Sequence, residues 1–109
     1  MALDVAKLRR LLALDESDPL SRFALAKKLL DTDPSPESLT EAAEHLRFAN
    51  AKAPEHLATY HVLGQVLMKL GHRDEARRVL ETGIERVGHA GEGMGRDLGP
   101  LMRQMLDSL

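Results

Sequence analysis

The residues best able to bind a metal or move a proton are five histidines, His45, His56, His61, His72 and His89. Two imidazoles on one helix face need a spacing of i, i+4 to share a metal ion, and no two of these histidines have it. No carboxylate pair completes a ligand motif, and the chain contains no cysteine, so thiolate sites and disulfides drop out together. A second candidate is the run Gly91-Glu92-Gly93-Met94-Gly95. Glycine-rich loops cradle phosphate where they follow a strand and open a helix. This one follows a helical pattern, lacks the Lys-Ser/Thr of a phosphate loop and is not spaced as G-x-G-x-x-G. It reads as a linker. No G-x-S-x-G elbow occurs, and no nucleophile with a paired base is visible. The expectation is a protein without catalytic residues, cofactor or metal.

Charge narrows the partners. The formal net charge is −2, which argues against a general attraction to phosphate backbones or anionic lipid. The basic pairs Arg9-Arg10, Lys27-Lys28 and Arg77-Arg78 read as solvated helix faces. A DNA-reading helix would need a basic surface, and in the fifth helical segment Asp74, Glu75, Glu81 and Glu85 offset Arg73, Arg77, Arg78 and Arg86. Neither a nucleic-acid nor a membrane partner is expected. No apolar run approaches the ~20 residues of a membrane span, and the first ten residues do not read as a signal peptide. A cytoplasmic location follows as the expectation.

The elements that would position any binding residue are helical throughout; helix signals occur six times. The first segment, Leu3 to Leu14, places Val5, Leu8 and Leu12 on one side. Asp18 then offers a carboxylate to unpaired amides with Pro19 at the first helical position, opening a helix to about Asp31. Asp33 and Ser35 each precede a proline, which forces the stop. The third helix is capped by Ser35 or by Ser38; Ser38 is preferred because Glu41 completes a capping box. It carries Ala42, Leu46, Ala49 and Ala53 inward and is closed by Pro54. The fourth runs from Leu57 to Leu70 and ends at Gly71, which accepts a left-handed conformation. The fifth, Arg73 to Val87, is stopped by Gly88. A connector, His89 to Gly95, leads to a short sixth helix from about Gly99 to Ser108.

One supersecondary unit is written twice. Ala42 and Ala76, Leu46 and Leu80, Ala49 and Gly83, and Pro54 and Gly88 are each 34 positions apart. That period belongs to helix–turn–helix arrays. Tyr60, Leu63, Gly64, Leu67, Gly71, Ala76, Leu80, Gly83 and Gly88 follow the order of an aromatic, Leu-Gly, a large residue, Gly, Ala, a large residue and Ala. In this the chain resembles the small bacterial-type tetratricopeptide repeat proteins. Two positions depart from the pattern: leucine replaces the usual aromatic at Leu67, and Gly83 stands where alanine is typical. The earlier unit is looser. Leu25-Ala26 stands for Leu-Gly, and the turn before Ala42 is four residues longer, Asp33-Pro34-Ser35-Pro36 being the obvious insertion.

The resemblance implies an all-α fold, a right-handed α-solenoid of antiparallel helix pairs with about six helices. It divides the chain into a half repeat (1–18), an extended repeat (19–56), a repeat (57–90), and a Gly-rich linker with a C-terminal capping helix (91–109). It also implies a protein-interaction adaptor: the first helix of each pair would line a groove for a peptide or helix of a protein partner. Carried over by position, the groove residues are Phe23, Lys27 and Leu30, with Leu20 and Asp31 beside them, and His61, Gln65, Met68 and Lys69, with Ala58 and Val62. The lysine-and-asparagine clamp that one subset of the family uses for chaperone tails is missing. Phe23 and Lys27 stand where it needs Lys and Asn, and Val62 where it needs Asn. A self-associating module, with the groove filled by the chain's own Met-bearing C-terminal helix, is the alternative.

Overall fold

The computed structural model describes residues 4–90 and 96–109. Among these residues there are six α-helices and no strand: α1 (Val5–Leu14), α2 (Pro19–Thr32), α3 (Pro36–Lys52), α4 (Leu57–Leu70), α5 (Arg73–His89) and α6 (Leu98–Asp107). They fall into two compact units, Met1–Ala53 and Pro54–Leu109.

In the first unit, α1 packs on α2 and α2 on α3. Asp18 accepts from the Leu20 amide at 3.1 Å with Pro19 opening the helix, as its sequence position implies. The core is leucine and alanine: Leu8 and Leu12 from α1, Leu25, Ala26 and Leu29 from α2, and Leu39, Ala42, Ala43, Leu46 and Ala49 from α3. Small residues let the helix axes approach closely, which is how a chain with so few aromatics fills a core. Across this unit Arg9 grips Glu41 with both terminal nitrogens, at 2.5 and 3.0 Å, tying α1 to α3.

The cap of α3 corrects the sequence reading. Ser35 caps it, accepting from the Ser38 amide at 3.3 Å, with Pro36 in the first turn. Ser38 lies inside the helix, and its hydroxyl donates to Asp33 at 2.6 Å. The Ser38 amide is taken by Ser35 and Glu41 pairs with Arg9; the expected capping box does not form.

In the second unit, α4 and α5 form a hairpin and α6 lies against both. Gly71 closes α4 at φ 80°. The His72 amide reaches back to the Leu67 carbonyl (2.9 Å) and the Gly71 amide to that of Met68 (3.1 Å), the paired bonds of a Schellman stop. Gly88 was expected to stop α5 and does not. The helix continues through His89, with Ala90 as its cap, and Gly88 does not adopt positive φ. His89 is therefore helical rather than part of the connector; residues 91–95 of that connector lie outside the described residues. The first residues of the expected opening helix, before Asp4, lie outside them too.

Candidate partner-binding site

Helix α4 builds the surface. Its buried side holds Tyr60, Val62, Leu63, Gly64, Val66 and Leu67. His61, Gln65, Met68 and Lys69 fall at i, i+4, i+7 and i+8, so they share the opposite side. Lys69 is exposed and the other three are half-buried. Val62 was expected in the groove but is buried at 3% exposure, because it turns with Leu63 and Val66 into the unit's interior.

How α6 reaches this surface follows from two glycines. A Cβ on Gly64 would lie 2.6 Å from Leu80 Cδ2, so the missing side chain is what lets α5 close on α4. A Cβ on Gly83 would lie 2.6 Å from Tyr60 Cβ and 2.7 Å from Met102 Sδ. Gly83 thus stands where α4, α5 and α6 come together, and it opens a slot that Met102, fully buried, fills. Tyr60, Leu80 and Met102 form the core there, with Met68, Val87, Leu98, Met105 and Leu106 packed around them. Tyr60 is fixed at both ends, its hydroxyl donating to the Pro54 carbonyl at 2.6 Å.

With Met102 anchored, Met105 arrives one turn further along α6 beside Gln65, Met68 and Lys69. These four residues line a cavity of about 270 Å³. Three of the residues read from the sequence as groove-lining are therefore brought together, and α6 adds a fourth. Met105 was not among the expected site residues. Its signal in the sequence was Gly83, a glycine where the repeat ordinarily has alanine, but glycine does not say which side chain fills the space it leaves. His61 lies one turn before Gln65 on the same side of α4 and does not line the cavity.

The residues read from the first unit are differently placed. Phe23 and Leu30 are half-buried on α2. Lys27 is exposed, but its ammonium is held by Asp31, at 2.8 and 3.1 Å to the two carboxylate oxygens. Among the described residues, Leu20, at 57% exposure, and Leu11 and Leu14 on α1 are the unit's exposed large apolar residues.

Elsewhere the polar groups serve the fold. His45 Nε2 lies 3.1 Å from Glu41, and its Nδ1 lies 3.3 Å from Arg22. Guanidinium can only donate, so Nδ1 accepts and the imidazole proton sits on Nε2, facing Glu41. Arg22 also donates to the Glu16 carbonyl at 2.7 Å and stacks 3.9 Å above the Phe48 ring. Hydrogen bonding from Arg9 holds the Glu41 carboxyl below the usual glutamate value, against its partial burial, with His45 adding to the effect. Asp33, bonded by Ser38 and Ser35, is likewise lowered. His56 pairs with the buried Thr59 hydroxyl at 2.7 Å. Among the described residues no group of three His, Asp or Glu side chains is arranged to hold a metal ion. Among them, too, no helix is long and apolar enough to cross a membrane.

Residues 36–89, the stretch from α3 through α5, match the family model of the tetratricopeptide repeat. The chain belongs to the tetratricopeptide repeat proteins, a family of helical repeats whose general role is protein–protein interaction and whose members are typically not catalysts. A comparison with curated proteins gives no match.

Proposed function

We propose that the protein is an adaptor that holds a peptide or helix of a protein partner against the outer side of α4 and catalyses no reaction. The observation that carries this reading is the meeting of Gln65, Met68 and Lys69 with Met105 around one cavity. Methionine side chains adapt to the shape of an inserted apolar group, Gln65 can both donate to and accept from a peptide backbone, and Lys69 supplies a charge at the rim. A hollow of about 270 Å³ has room for one large apolar side chain of a partner.

The reading gives a second contact role to Phe23, Lys27 and Leu30 on the first unit. Lys27 contributes less than Lys69, because a partner carboxylate must displace Asp31 before it can pair. Burying one large apolar anchor is worth about 1.5–3 kcal/mol, and lost freedom on association cancels much of what a few such anchors provide. An isolated peptide should therefore bind with micromolar or weaker affinity, about −8 kcal/mol at best.

Affinity capture from the native lysate with wild type, Met68→Glu and Lys27→Glu tests the assignment. Captured proteins should be lost with Met68→Glu and reduced with Lys27→Glu; capture unaltered by Met68→Glu rules the site out. Self-association is a second reading, favoured by one observation: the chain's own Met105 already touches the cavity. Light scattering separates the two, since a mass near 12.1 kDa at every concentration excludes constitutive self-association.

A further inference from the structure

The charge pattern around the cavity points to the chemistry of the partner, an inference that rests on the site assigned above. The whole chain carries 17 acidic against 15 basic side chains, yet α4 contains no aspartate or glutamate and α6 contains one, Asp107, at its last residue. Two residues correspond to about 200° around a helix, so Asp107 lies on the far side of α6 from Met105. Besides the buried Tyr60, the ionisable residues that remain on these two helices are Lys69, Arg103 and His61.

Lys69 lines the cavity and is exposed, and among the described residues no carboxylate forms an ion pair with it. Lys27 makes the contrast: it sits one turn before Asp31 and is satisfied within its own helix. Lys69 stands one residue before the end of α4, so its own helix offers no position one turn on that could hold a carboxylate. A basic segment entering the cavity would meet repulsion from Lys69. A neutral one would shed water from the ammonium without replacing its hydrogen bonds.

We infer that the site takes a linear segment in which a large apolar side chain lies within two residues of an aspartate or glutamate. The apolar group enters between Met68 and Met105, the neighbouring carboxylate meets Lys69 at the rim, and the Gln65 amide bonds the intervening backbone.

The test is a random dodecapeptide library panned against the full chain, with the enriched peptides synthesised and their affinities measured for wild type and variants. Peptides pairing an apolar residue with a nearby acid should be enriched. Lys69→Gln should weaken them about two- to five-fold, the range of an exposed ion pair, and Lys69→Glu further. Added salt should weaken wild-type binding and leave Lys69→Gln nearly unmoved. Met68→Glu should abolish binding, with Gln65→Arg, on the half-exposed wall, as the second blocking variant should Met68→Glu fail to fold. Peptides without acidic bias, or bound equally by Lys69→Gln, Lys69→Glu and wild type while still lost on blocking the cavity, overturn this inference and leave the site standing. Peptides indifferent to both blocking variants, or no enrichment at all, overturn the site and the inference with it.

Discussion

Replacing Gly83 by alanine sets two effects of known sign against each other. Alanine is favoured over glycine inside a helix by about 1 kcal/mol. Against that, the added methyl would sit 2.6 Å from Tyr60 Cβ and 2.7 Å from Met102 Sδ. Tyr60 Cβ is attached directly to the α4 backbone and its hydroxyl is tied to Pro54, so it cannot swing clear. Met102 is flexible in principle, but at 0% exposure it has nowhere to go without displacing α6. Overpacking of a filled core costs about 1–3 kcal/mol, so the balance is a loss of up to ~2 kcal/mol. Gly88, five residues further along α5, supplies the control. It is helical, meets no atom within 4 Å of a built Cβ, and should show the favourable term alone, less than ~1 kcal/mol because it lies in the last turn. Urea unfolding followed by circular dichroism is the assay: the Gly83→Ala midpoint should fall and the Gly88→Ala midpoint rise, each at unchanged slope. Gly83→Ala as stable as Gly88→Ala would show that α5 does not pack against Tyr60 and Met102 as closely as described here.

Other consequences are as direct. Met102→Ala removes the buried anchor of α6 and should cost about 2–5 kcal/mol, with amide exchange across α6 rising more than across α1–α3. The Arg9–Glu41 pair, with side chains 50% and 31% exposed, is worth less than about 1 kcal/mol. Its contribution has a defined pH dependence. Because Glu41 titrates lower in the folded chain, the unfolded chain binds more protons in acid, so this stability is full above about pH 5 and lost as pH falls through the folded value. The stability difference between wild type and Glu41→Gln, measured by unfolding at pH 7 and in steps toward pH 3, should shrink; a difference constant with pH would show that folding does not lower the Glu41 carboxyl.

What could be read from the sequence was what local chemistry decides. α4 appears with both boundaries as expected, since its leucines keep helical spacing and Gly71 can take the left-handed conformation a Schellman stop requires. Asp18-Pro19 was equally unambiguous. Gly88 misled because glycine permits a helix to end without requiring it; α5 continues two residues to His89. At α3, Ser35 and Ser38 competed as caps; Ser35, with Pro36 behind it, takes the Ser38 amide, and Glu41 pairs instead with Arg9, 32 positions before it. The site divides in the same way. The side of α4 carrying Gln65, Met68 and Lys69 follows from helical period alone. Lys27 looked equivalent until its ammonium proved to be engaged by Asp31. Met105 required knowing where α6 lies, and no local rule gives that.

The adaptor reading comes down to whether a partner inserts between Met68 and Met105. Methionine methyl NMR on the full chain, titrated with a library-selected peptide, observes both residues at once, with buried Met102 as an internal reference. The Met68 and Met105 methyl signals should move together and saturate at a common peptide concentration, while Met102 moves little. Tight binding that leaves the Met68 and Met105 signals in place would put the partner elsewhere on the protein.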